Sequence, residues 1–202
     1  MSADATWPPP NCPPLEWPEN LDGPRRYEWY AATIEAFALL WKGHVTEARV
    51  EPVAEDEIVR LEQRLATSLP ESLRTYHRRL GALRLAETLC SVAPSKNPIQ
   101  PLGDAFPAVG EVGVEPSVAR EMIVFADPNG NGNLFCFQRG SGEIFFFDHD
   151  DGPPLTRFFA DADAYLEALM IKCLAEVHED DERGEQLLVS RLGQPLVRKW
   201  LY

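Results

Sequence analysis

Apolar residues recur at helical spacing in the first part of this chain and at strand spacing in its middle. Tyr27, Tyr30, Ile34, Phe37 and Trp41 are separated by 3, 4, 3 and 4 positions, one face of a helix over 25–42 that Gly43 ends. Ile58, Leu61 and Leu65 repeat in the same way within 54–66, behind Glu55, Asp56 and Glu57, which suit the positive end of a helix. Pro70 fits the first turn of a third helix, in which Leu73, Tyr76 and Leu80 share a face and Gly81 is the stop. The link between the second and third helices is short, which makes them packed neighbours. Five prolines between 94 and 116 break residues 82–121 into short strands and loops.

The period then changes. EMIVFA (121–126), NLFCFQ (133–138) and EIFFFD (143–148) are strands, and the last two flank RGSG, a hairpin-type loop. They carry apolar residues on both faces, which predicts a sheet covered on each side. Pro153 and Pro154 end the sheet region, and a helix near 161–175 follows with Leu166, Leu169 and Cys173 on one face. The acidic run 176–185 is a solvated stretch, and the apolar, basic C-terminus predicts a short helix closed at Gly193 and a docked tail. This order specifies an α+β fold: an antiparallel-rich sheet with helices packed around it and an N-terminal helical extension.

Residues 1–24 contain seven of the 18 prolines and form neither a helix nor a central strand. The segment is an extended arm pinned by Trp7, Leu15 and Trp17; a proline-rich ligand for a partner is the alternative. It lacks the basic and apolar regions of a secretory signal, and no apolar run approaches the ~20 residues that span a bilayer. Cys12, Cys90, Cys136 and Cys173 form no CxxC pair and the four histidines no HxxxH pair, so free thiols in a reducing cytoplasm are expected, with no metal site and no cofactor.

Charge narrows the partners. The 202 residues hold 32 acids and 19 bases, a net −13, which argues against nucleic acid or an anionic membrane. Residues 103–185 hold 18 of the acids and five of the bases. An acidic surface facing a basic protein is one reading; plain solubility is the other.

Two phrases bear on chemistry. DPNGNGNL (127–134) places Asp127, Asn129, Asn131 and Gly132 at calcium-loop positions 1, 3, 5 and 6. Position 12 is Gln138, which leaves too little charge for the ion, and a tight turn is the better reading. In DHDDG (148–152), His149 lies among acids, as a general base or ligand would. No nucleophile motif accompanies it, adjacent strand residues point apart, and an acidic turn is expected rather than a catalytic site.

The ordered phrases resemble a known family. Ile58, Leu61, Glu62 and Leu65 (IxxLExxL) are followed by Leu69, Pro70, Leu73 and Tyr76 (LPxxLxxY), then by FADPNGNGNLFCF, and then by FFDHDDG with FFADADAYLEALM. The set is similar to the SUKH superfamily of Smi/Knr-like domains over 51–175. Members usually carry an Asn-Gly-Gly-like phrase after the third helix, where this chain has Leu80-Gly81-Ala82-Leu83. The resemblance divides the chain into a proline-rich arm (1–24), an aromatic-faced helix and linker (25–50), the SUKH-like domain (51–175) and an acidic stretch with a tail (176–202). It implies binding and no enzymatic activity: a cytoplasmic immunity protein that neutralises a cognate polymorphic toxin, often a nuclease in the family, with a regulatory scaffold as the alternative. With a basic toxin as partner, the contact residues expected at exposed turns are Asp104, Glu111, Glu115, Asp148, Asp150 and Asp151.

Overall fold

The computed structural model describes residues 7–42, 52–81, 88–93, 97–128, 130–150 and 152–201. Two compact units are present, one of Arg49–Tyr165 and one of Met1–Ala48 with Leu166–Tyr202.

In the first unit, helices α2 (Glu55–Leu65) and α3 (Glu71–Arg79) bury the predicted faces: Ile58, Leu61, Leu65, Leu73 and Tyr76 are inside. (Helix α1 belongs to the other unit.) Ala66 takes a left-handed conformation, φ 50°, and ends α2. The Glu62 carboxylate accepts the Leu69 N–H at 3.0 Å and pairs with Arg74, which also reaches Glu55. One acid thus fixes both the inter-helix link and the angle between its helices. Arg139 donates to the carbonyls of Leu65 and Ala66, satisfying the end of α2 from the far side of the sequence. His77, on α3, is fully buried, and both its ring nitrogens are without a hydrogen-bond partner among the described residues. Burial lowers its pKa to about 4.

Among the described residues six strands then form one antiparallel sheet: β1 (Thr88–Leu89), β2 (Gln100–Pro101), β3 (Met122–Asp127), β4 (Leu134–Gln138), β5 (Ile144–Phe147) and β6 (Leu155–Phe159). The order is β1-β3-β4-β5-β6, with β2 also paired to β3. Short helices α4 (Leu102–Ala105) and α5 (Pro116–Glu121) lie between β2 and β3. The β3–β4 pairing sets Ile123 opposite Phe137 and Val124 opposite Cys136, with a register shift between Val124 and Ala126. Successive residues of β3 and β4 are buried, so both faces are covered as expected. Phe135 carries an aromatic layer, its ring centroid 4.9 Å from those of Phe146 and Tyr165 and 5.4 Å from that of Phe158. Pro153 and Pro154 do not end the sheet. The Pro154 carbonyl accepts the Asp148 N–H at 3.0 Å, so the prolines form the turn of a further hairpin leading into β6.

In the second unit, α1 (Gly23–Leu40) buries Tyr30, Ile34 and Phe37, but Trp41 at its C-cap is 36% exposed and donates to Glu176. Helix α6 (Ala162–His178) contributes its residues from Leu166 onward to this unit, followed by α7 (Asp181–Leu192) and α8 (Gln194–Leu201). The acidic run is therefore helical: it closes α6 and opens α7, and the Asp180 carboxylate caps α7 by accepting the Arg183 N–H. The C-terminal tail is the helix α8, with Val197 and Trp200 buried. The arm is strapped down by its side chains. Trp7 Nε1 donates to the Val177 carbonyl at 2.8 Å, Trp17 Nε1 to that of Leu187 at 3.0 Å, and His178 Nε2 to that of Pro13 at 2.8 Å. Arg191 lies 3.8 Å over the Trp17 ring.

Candidate partner-binding surface

Three segments meet at one end of the sheet: helix α4 with its C-cap Phe106, the β3–β4 loop and the β5–β6 loop. Their meeting point is His149. Its backbone N–H donates to Asn133 Oδ1 at 3.2 Å, and its Nδ1 lies 2.9 Å from the same oxygen. Nε2 faces Asp150 Oδ1 at 3.3 Å. The ring packs on Phe106, 5.3 Å between centroids, and Phe106 also packs on Phe147 at 5.1 Å. Gly132, at φ +95°, lets the imidazole close over the loop: a Cβ there would lie 3.2 Å from His149 Cε1.

The β3–β4 loop directs its polar side chains at its own backbone. Asp127 Oδ1 accepts the Gly130 N–H at 2.7 Å and Asn131 Oδ1 the Asn133 N–H at 3.0 Å. These are the tight turns anticipated in place of a calcium loop. Asn129 lies outside the described residues. Among the described residues no group of three or more His, Cys, Asp or Glu side chains comes together to hold a metal ion.

The six acids expected at the contact surface fare differently. Asp150 is exposed beside His149, and Asp104 is exposed on α4, two residues before Phe106, so the Phe106–His149 contact brings α4 and the β5–β6 loop together. Glu111, on the turn over 107–113, and Glu115, the N-cap of α5, are exposed. Asp148 corrects the expectation: it is 7% exposed, and its carboxylate accepts the Asp150 N–H at 3.0 Å. It shapes the turn from inside. Asp151 lies outside the described residues. Sequence reasoning missed Asn133 and Phe106. The repeated Asn-Gly of DPNGNGNL was the available signal for Asn133; Phe106 follows Ala105 in a stretch without periodicity and offered none.

The charge also divides. Residues 103–165, in the sheet unit, hold eleven acids and three bases, and 166–185, in the other unit, hold seven and two. The acidic segment is thus shared between two bodies.

An antiparallel sheet entered through a Glu62-locked helical hairpin defines an α+β domain. The chain belongs to the SMI1 / KNR4 family (SUKH-1), whose model matches residues 52–168. No curated protein matches the chain. Among the described residues no helix is long and apolar enough to cross a membrane.

Proposed function

We propose that the protein is a cytoplasmic immunity protein that binds a basic cognate toxin, such as a nuclease, and acts by occlusion and not by chemistry. The observation that carries this reading is the pair of exposed carboxylates, Asp104 on α4 and Asp150 on the β5–β6 loop, two segments joined by the Phe106–His149 contact. Glu111 and Glu115 extend the candidate contact set. Acidic side chains held on packed segments steer a basic partner and fix its orientation at small entropic cost.

The test is co-expression with the toxin encoded by a neighbouring open reading frame, followed by co-purification and measured association rates. Binding and relief of toxicity are expected. Asp104→Lys combined with Asp150→Lys should slow association about tenfold, and raising salt should mimic it. A pair that neither binds nor relieves toxicity removes this reading. In the alternative reading, a non-catalytic regulatory module of the Smi/Knr type, deletion of residues 1–24 abolishes partner binding while the sheet unit stays folded; the immunity reading expects binding to survive.

A further inference from the structure

The second unit carries a groove that the acidic loops do not touch on. Residues 9–12 of the arm form one wall; Ala32, Glu35, Ala36 and Leu39 form the other. Those four helix positions are spaced 3, 1 and 3, the single face of α1 on the arm side. Alanines at 32 and 36 keep the floor low, so the groove exists because this face is small. Its volume is about 240 Å³, below the ~300–1,000 Å³ typical of small-molecule sites. That space suits one or two side chains of a peptide.

The groove is apolar and acidic together through Leu39 and Glu35. Among the described residues the exposed large hydrophobic side chains are Trp7, Leu39, Trp41, Val59 and Val118, and the first three belong to this unit. Leu39 lines the groove, Trp7 begins the arm that forms its wall, and Trp41 lies two residues beyond Leu39. The two indoles are anchored on consecutive residues of α6, Trp41 to the Glu176 carboxylate and Trp7 to the Val177 carbonyl. Glu35 stands exposed in the groove wall, and none of the lining residues is basic. The exposed Glu35 carboxylate attracts a guanidinium or ammonium group, and the apolar slot beside it takes the neighbouring side chain.

We propose that this groove docks a peptide segment of a protein partner in which a lysine or arginine adjoins an apolar residue. The arm is then one wall of a receptor and not itself the ligand. The proposal does not depend on the immunity reading.

The probe is a fluorescein-labelled decapeptide of alternating leucine and arginine, with a leucine–glutamate decapeptide as counterpart, titrated against the full chain by anisotropy. The basic peptide is expected to saturate and to bind at least about tenfold tighter than the acidic one. Leu39→Ser and Glu35→Arg change exposed side chains, so the fold, checked by circular dichroism, should persist. Each should weaken the basic peptide about tenfold, the scale of one truncated anchor. Asp104→Lys with Asp150→Lys should leave it unchanged. The proposal is overturned by absence of saturable binding, by equal binding of both peptides, or by indifference to Leu39→Ser. Loss of binding in the Asp104/Asp150 variant instead moves the site to the other unit and overturns it too. So does a concentration-dependent dimer abolished by Leu39→Ser, which assigns the groove to a second copy of this chain.

Discussion

The two units carry nearly the same charge by different routes. Arg49–Tyr165 holds 18 acids against 11 bases, and the unit of 1–48 with 166–202 holds 14 against eight. In the first, local motifs specify the structure: two amphipathic helices joined by Glu62, then strands whose aromatic residues stack across the ladder. In the second, helices are held by an irregular arm whose grip consists of two arm indole N–H groups on helix carbonyls and the His178 imidazole of α6 on the arm's Pro13 carbonyl. The sheet unit is stabilised by buried area, and the arm adds a small number of directional bonds. The sheet unit should therefore be the more sensitive to loss of one large side chain, and the helical unit to small changes in close approach.

The largest effect expected from breaking this comparison is at Phe135. Its ring meets those of Phe146, Phe158 and Tyr165, and it is fully buried. Phe135→Ala removes the centre of that layer and leaves a cavity, a loss of about 3–5 kcal/mol. Chemical denaturation should show the loss as a lower midpoint, and a midpoint close to that of the parent would mean that the layer is not the source of the unit's stability.

A second test separates burial from polarity in the same unit. His77 is buried without hydrogen bonds to its ring among the described residues, and its pKa falls from 6.5 to about 4. The folded state therefore holds the neutral ring where the unfolded chain has begun to take up a proton. The neutral ring's contribution is full above pH 6.5 and is lost as pH falls from 6.5 towards 4. The shift corresponds to about 3 kcal/mol over that window. His77→Leu should flatten the decline in stability between pH 7 and pH 4 by about that amount, read as the difference between paired denaturation curves. Parallel curves would show that other groups govern the acid limb.

Legibility followed the length and period of each element. The α2–α3 pair and the β4–β5 hairpin were readable because their apolar residues repeat over several turns or alternations. Strands β1 and β2 have two residues each, too few to carry a period. Strand β6 was hidden by Pro153 and Pro154, which signal a stop but here make a turn, and by Arg157, an exposed residue on a strand that among the described residues pairs with β5 alone. Charge hid α7: six acids and one arginine between 176 and 185 suggested solvent, whereas Asp180 is a cap and Gly184 is buried against α6. The candidate surface was legible in residue type more than in geometry. Asp104 and Asp150 are exposed as expected, but nothing local announced that Asp148 would turn inward onto the Asp150 N–H or that Phe106 would join α4 to the β5–β6 loop.

The smallest expected effect tests the helical unit and turns on its sign. Alanine normally replaces glycine inside a helix with a gain of about 1 kcal/mol. Gly184 lies within α7, and a Cβ there would stand 2.4 Å from the Ala175 Cβ of α6. Ala175 has no rotamer with which to yield, so the two helices must separate. The cost of such overpacking, about 1–3 kcal/mol, exceeds the propensity gain. Gly184→Ala should thus destabilise by roughly 1 kcal/mol net, read as a lower midpoint of thermal or chemical unfolding. Combining it with Ala175→Gly removes the obstructing methyl. If the close approach is the cause, the pair should be less destabilised than the two single changes together predict, a coupling that a double-mutant cycle isolates. Additive effects would mean that the helices do not approach closely at these positions in solution, and a gain from Gly184→Ala alone would show that propensity outweighs packing here.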